Sequence, residues 1–88
     1  MQFRVMDETV NLGGRGLALL VNEGDESALR DGCRIRDVRG NEHVVARVST
    51  QDGLTVLLLE NGDEAYFGRL FRDIFVDATL FTLVETDA

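Results

Sequence analysis

The chain has 88 residues and a formal charge of −7, from 16 acidic and 9 basic side chains, which fits a single domain over residues 1–88 and excludes a second. Its longest unbroken apolar run, residues 17–21, is far short of the roughly 20 residues a membrane helix needs. Cys33 is the one cysteine, so neither an internal disulfide nor a Cys-rich zinc site can form, while a hydrophobic share of 44% supplies a core and argues against disorder.

The opening Met1-Gln2-Phe3-Arg4-Val5-Met6 lacks the basic cap, apolar stretch and cleavage site of a secretory signal, so a cytoplasmic location is expected. Phe3 to Met6 alternates, and Met6, Glu8, Val10 and Leu12 continue at period two into a tight turn at Gly13-Gly14-Arg15-Gly16. That turn lacks the Lys-Ser/Thr of a P-loop and is followed by strand-like residues 17–21, which argues against a phosphate cradle. A polar loop over 22–27 follows, with Asp25-Glu26 at its turn.

Residues 33–38 and 42–49 read as two strands around Gly40-Asn41. A two-residue turn there sets Cys33 opposite Val48, Ile35 opposite Ala46 and Val38 opposite His43. One face then collects Cys33, Ile35, Val44, Ala46 and Val48, and the other Arg34, Arg36, Val38, His43, Val45 and Arg47. In this register Cys33 and His43 lie roughly 17 Å apart on opposite faces, which disfavours a Cys-His nucleophile. A second turn at Asp52-Gly53 sets Arg47 opposite Leu58, with Glu60 on its diagonal, and Asn61-Gly62 signals a further hairpin.

Residues 65–77 carry two signals. Phe67, Leu70, Phe71, Ile74 and Phe75 have the spacing of an amphipathic helix, while Gly68 and the aromatic and β-branched residues suit a strand. The alternative fold is therefore α+β, with one amphipathic helix at about 66–77 packed on an antiparallel sheet.

From about Phe3 to Glu85 the order of motifs resembles the second domain of the elongation-factor-Tu type translational GTPases. The alternating strand of Met6, Glu8, Val10 and Leu12 runs into Gly14-Arg15-Gly16 and then the apolar strand 17–21. Gly62-Asp63, Gly68, Leu70-Phe71, Arg72 and Ile74 follow in the family's order, with Glu8 standing where an Asp is common. The resemblance implies an all-β fold, a small antiparallel barrel of six or seven strands, closed or nearly so, with 65–71 as strand. It implies no GTP hydrolysis, because no Walker motif is present. Val5, Leu17, Leu19, Val21, Ile35, Val44, Ala46, Val48, Leu57, Leu59, Phe67 and Leu83 are the expected core.

No positioned base and nucleophile, metal-ligand spacing, cofactor motif or small-molecule site is legible, so a non-enzymatic binding module is expected. Leu54, Val56 and Leu58 alternate with core-facing Leu57 and Leu59, making one strand apolar on both sides. Its outer face needs cover, either from 71–76 of the same chain or from another protein or a second copy. A second reading is an RNA- or ribosome-docking module that uses Arg34, Arg36, Arg39, His43 and Arg47. The net charge and the lack of aromatic residues among these arginines oppose it. Arginine supplies all the basic side chains and lysine is absent. Codon bias, a preference for bidentate guanidinium contacts and an acidic surface adapted to a salty cytoplasm each account for that composition.

Overall fold

The computed structural model describes residues 1–24 and 28–84, so the predicted turn at Asp25-Glu26 lies outside the described residues. The strands β1 (Gln2–Asn11), β2 (Leu17–Gly24), β3 (Arg34–Arg36), β4 (Glu42–Val44), β5 (Arg47–Gln51), β6 (Leu54–Leu59) and β7 (Leu80–Val84) form one seven-stranded sheet in the order β4-β3-β7-β1-β2-β6-β5. Every pairing in it is antiparallel. A helix, α1 (Glu64–Arg72), packs against β1. The antiparallel β-rich fold agrees with the sequence, with two corrections.

The first concerns closure. The sheet is not closed into a barrel, because β4 and β5 stand at opposite ends of its order and share no ladder. The chain nevertheless steps directly from one edge to the other at Val45-Ala46. The Val45 amide donates to the Cys33 carbonyl on the β3 side, and the Ala46 amide to the Leu58 carbonyl on the β6 side, both at 2.8 Å.

The second concerns residues 65–71, expected as strand from the family resemblance and found as helix. Asp63 caps α1: its Oδ1 accepts the amides of Ala65 at 3.0 Å and Tyr66 at 3.2 Å. Gly68 costs a helix about 1 kcal/mol, whereas burying Phe67 and Leu70 contributes roughly 1.5–3 kcal/mol each, so burial decides the conformation. Asn61-Gly62 accordingly forms no hairpin and leads into the helix. The helix is also shorter than its apolar spacing suggests. It ends at Arg72, where the Asp73 amide turns back to the Leu70 carbonyl, leaving Ile74 and Phe75 outside it.

The β5–β6 hairpin has the register its turn dictates. Asp52 and Gly53 take φ values of +51° and +81°, the left-handed pair a type I′ turn requires, and Arg47 lies opposite Leu58. In the β3–β4 hairpin the pairing is instead Arg34 with Val44, Ile35 with His43 and Arg36 with Glu42. The Asp37 side chain is the cause. Its Oδ1 accepts the amides of Arg39 and Asn41, and the Asp37 amide donates to the Asn41 carbonyl, so the loop comprises 38–40 and not 40–41. This odd-numbered displacement turns one strand over. Val45 is fully buried and Val44 is 58% exposed, the reverse of the expectation.

The core comprises Phe3, Val5, Leu17, Leu19, Val21, Ile35, Val45, Leu57, Leu59, Phe67, Leu70 and Phe81, with Leu29 and Ala78 at its margin. Val48 and Leu83, expected inside, are only partly buried, and Ala46 is half-buried. Phe81 of β7 stacks on Phe3 of β1 and on Phe67 of α1, with ring centroids 6.0 and 6.4 Å apart, and so ties helix to sheet.

Candidate functional site

Strand β6 has the two-sided character expected of it. Thr55, Leu57 and Leu59 are buried on its inner face, while Val56 and Leu58 are half-buried and Leu54 is exposed on its outer face. Val56 and Leu58 line a groove of about 870 Å³ together with Arg47 of β5. Its other wall is Leu12 and Arg15, around the 3₁₀ turn Gly13–Arg15. Gly16 holds that turn against the end of β6: its φ is +110°, and a Cβ there would lie 2.5 Å from the Leu59 carbonyl oxygen. No residue lining the groove comes from 71–76. Leu54 lies at the far end of the strand, outside the groove lining.

The groove has an apolar floor, with the guanidinium groups of Arg15 and Arg47, the carboxylate of Glu60 and the polar side chains of Ser49, Gln51 and Asn61 around it. Leu12 and Arg15 are the members that sequence reading missed. Their signal was the position of the Gly-rich turn immediately before β2, the strand paired to β6, which sets the turn beside the end of β6.

The basic residues expected to form one face do not do so. Arg34 and Arg36 project from β3 beside Glu42 and Val44, and Arg36 pairs with Glu42 at 3.3 Å. Arg39, in the β3–β4 loop, is held by Asp73 at 2.7 Å. Arg47 is on β5, at the other end of the sheet order. His43 turns inward, with 18% of its side chain exposed, against Tyr66, Phe67 and Phe81.

His43 belongs to a second constellation, one not visible in the sequence. The Asp37 carboxylate, with no exposed surface, accepts from Tyr66 Oη at 2.5 Å and pairs with His43 Nε2 at 2.9 Å. Asn41 Nδ2 in turn donates to Tyr66 Oη at 2.7 Å. Burial pushes the Asp37 carboxyl up, but the hydrogen bonds from Tyr66, His43 and the amides of Asn41 and Arg39 outweigh it and hold the group below the usual carboxylate range. Burial, and then the Asp37 carboxylate, push the Tyr66 phenol up against the opposing hydrogen bond from Asn41. An ionised carboxylate only accepts, so the His43 Nε2–H is the donor of this pair. The arrangement orients an imidazole beside a small cavity of about 300 Å³ next to Asn61 and Asp63, with no serine, threonine or cysteine lining it.

The displaced β3–β4 register also corrects the spatial argument about Cys33. Val45 donates to the Cys33 carbonyl, which puts Cys33 and His43 on the same face as diagonal neighbours about 7–8 Å apart. No hydrogen bond joins them; the imidazole is bound to Asp37 instead. Among the described residues, no three His, Cys, Asp or Glu side chains cluster as metal ligands, and no helix is long and apolar enough to cross a membrane. Comparison with protein-family profiles, with characterised proteins and with solved structures finds no match to this chain.

Proposed function

We propose that this chain is a non-enzymatic binding module whose groove over β5–β6 docks a segment of another polypeptide. The observation that carries the reading is the outer face of β6, where half-buried Val56 and Leu58 form the apolar floor of an open groove lined also by Arg15, Arg47 and Glu60. An apolar floor gains from burying aliphatic or aromatic side chains, and the guanidinium rim favours carboxylates beside them. The partner segment this surface fits is short, apolar and acid-flanked. The Asp37–His43–Tyr66 network supports a structural role, because it ties the β3–β4 loop to the helix and no serine, threonine or cysteine lines the cavity beside the imidazole.

Selection of short displayed peptides against the folded protein tests the reading. Peptides with an acidic residue beside aromatic or aliphatic ones should be enriched, and should lose binding to Arg47→Glu, a change at an exposed position that leaves the core intact. Enriched peptides that bind Arg47→Glu and Leu58→Glu as well as they bind the parent would overturn it.

A further inference from the structure

The largest departure from ordinary surface composition lies outside this groove, in the loop that follows α1. Ile74 is 87% exposed and Phe75 is 91% exposed, although both are large apolar residues adjacent in sequence. The loop is fastened on both sides of them. Asp73 Oδ1 accepts the Phe75 amide at 2.9 Å while its Oδ2 binds Arg39 at 2.7 Å. Asp77 receives both terminal nitrogens of Arg4, at 2.6 and 2.7 Å, and its carbonyl accepts the Leu80 amide at 3.1 Å. Val76 tucks back against the core. Two ion pairs, a capped turn and one partly buried side chain thus hold an Ile-Phe pair out in water, which costs hydration free energy unless something covers it. A projection fixed in advance loses little conformational freedom on docking.

We infer that the occupant of the β5–β6 groove is this loop from a second copy of the same chain, a proposal that rests on reading the groove as a peptide-docking site. The loop, Asp73-Ile74-Phe75-Val76-Asp77, is itself the short acid-flanked apolar segment that the groove fits. Its carboxylates have spare acceptor positions beyond their bonds to Arg39 and Arg4, because each carboxylate offers about four lone-pair sites. Arg15 and Arg47 approach those sites from the groove rim as Phe75 enters between Leu12 and Leu58. Loop and groove are different surfaces, so the contact is head-to-tail and every copy in an assembly has one donor and one acceptor face. A two-fold arrangement of loop against loop would instead set Asp73 and Asp77 of one copy against those of the other, without guanidiniums from the groove between them.

Sedimentation analysis over a range of protein concentrations tests this. The parent chain should associate reversibly, and Phe75→Glu and Arg47→Glu should each weaken association by at least about tenfold. Both sites are exposed, and an unchanged thermal midpoint would verify that the variants fold. The decisive measurement mixes the two variants. Phe75→Glu keeps an intact groove and Arg47→Glu an intact loop, so the mixture should form one-to-one pairs that grow no further. Association lost in Phe75→Glu but not restored on mixing would mean that loop meets loop, and would overturn the proposal. A parent chain that stays monomeric while acid-flanked peptides still bind at Arg47 would overturn it too, and would leave the groove reading standing.

Discussion

Asp37 is a buried carboxylate that joins a loop, a strand and the helix. Its carboxylate fixes the β3–β4 loop through the amides of Arg39 and Asn41, and fixes that loop to the helix through Tyr66. Replacing it by alanine leaves buried donors without an acceptor, and Asp37→Ala should lose about 3 kcal/mol, read as a lower urea midpoint at unchanged slope. The same network sets a pH window. The folded-state pKa of Asp37 lies below its unfolded value of about 3.9, so its contribution is present above that pH and is lost as pH falls through the folded value. Asp73, lowered by the Phe75 amide and Arg39, and Asp77, lowered by Arg4, act in the same direction. Tyr66 is raised, so its contribution is present below an unfolded value of about 10 and is lost as pH rises through the folded one. Unfolding measured across pH should show a plateau between these limits. Tyr66→Phe should flatten the alkaline limb and also shrink the acid limb, because the Tyr66 hydroxyl is the first of the hydrogen bonds that lower Asp37, leaving Asp73 and Asp77 to carry what remains.

At the scale of elements, the helix gives two opposite expectations. Asp63→Ala removes the N-cap and should cost about 1 kcal/mol. Gly68 lies within α1 with open space where a Cβ would stand, so Gly68→Ala should stabilise by about 1 kcal/mol. Chemical denaturation of the two variants checks both signs. Where the sequence was legible, local chemistry alone decided the outcome: Asp52-Gly53 sets its own left-handed turn, and the β5–β6 register follows. The β3–β4 register escaped because a side chain, not the Gly-Asn pair, sets the loop length. The helical spacing correctly placed Phe67 and Leu70 inside, and failed at Ile74 and Phe75 because the helix stops at Asp73. In the candidate groove, Val56, Leu58 and Arg47 could be read from alternation and hairpin pairing. Leu12 and Arg15 arrive through the β2–β6 pairing, a long-range contact that the Gly-rich turn before β2 signals only once that pairing is known.

For the whole molecule, a formal charge of −7 acts on a chain with a radius of gyration of 12.0 Å. Screening lengths of about 10 Å at 0.1 M salt and 3 Å at 1 M mean that added salt relieves self-repulsion across the molecule. It also weakens exposed pairs such as Arg36–Glu42, but such pairs contribute only about 0–1 kcal/mol. Relief of repulsion should prevail, and the thermal midpoint should rise between those salt concentrations; a fall would show that the ion pairs dominate. Binding is proposed over β5–β6. Its most direct test is a nuclear magnetic resonance titration of the labelled protein with an enriched acid-flanked peptide. Amide shifts concentrated at Leu12, Arg15, Arg47, Val56 and Leu58, with little change at Asn41, His43 and Tyr66, are the predicted result. Shifts centred on His43 and Tyr66 instead would contradict it.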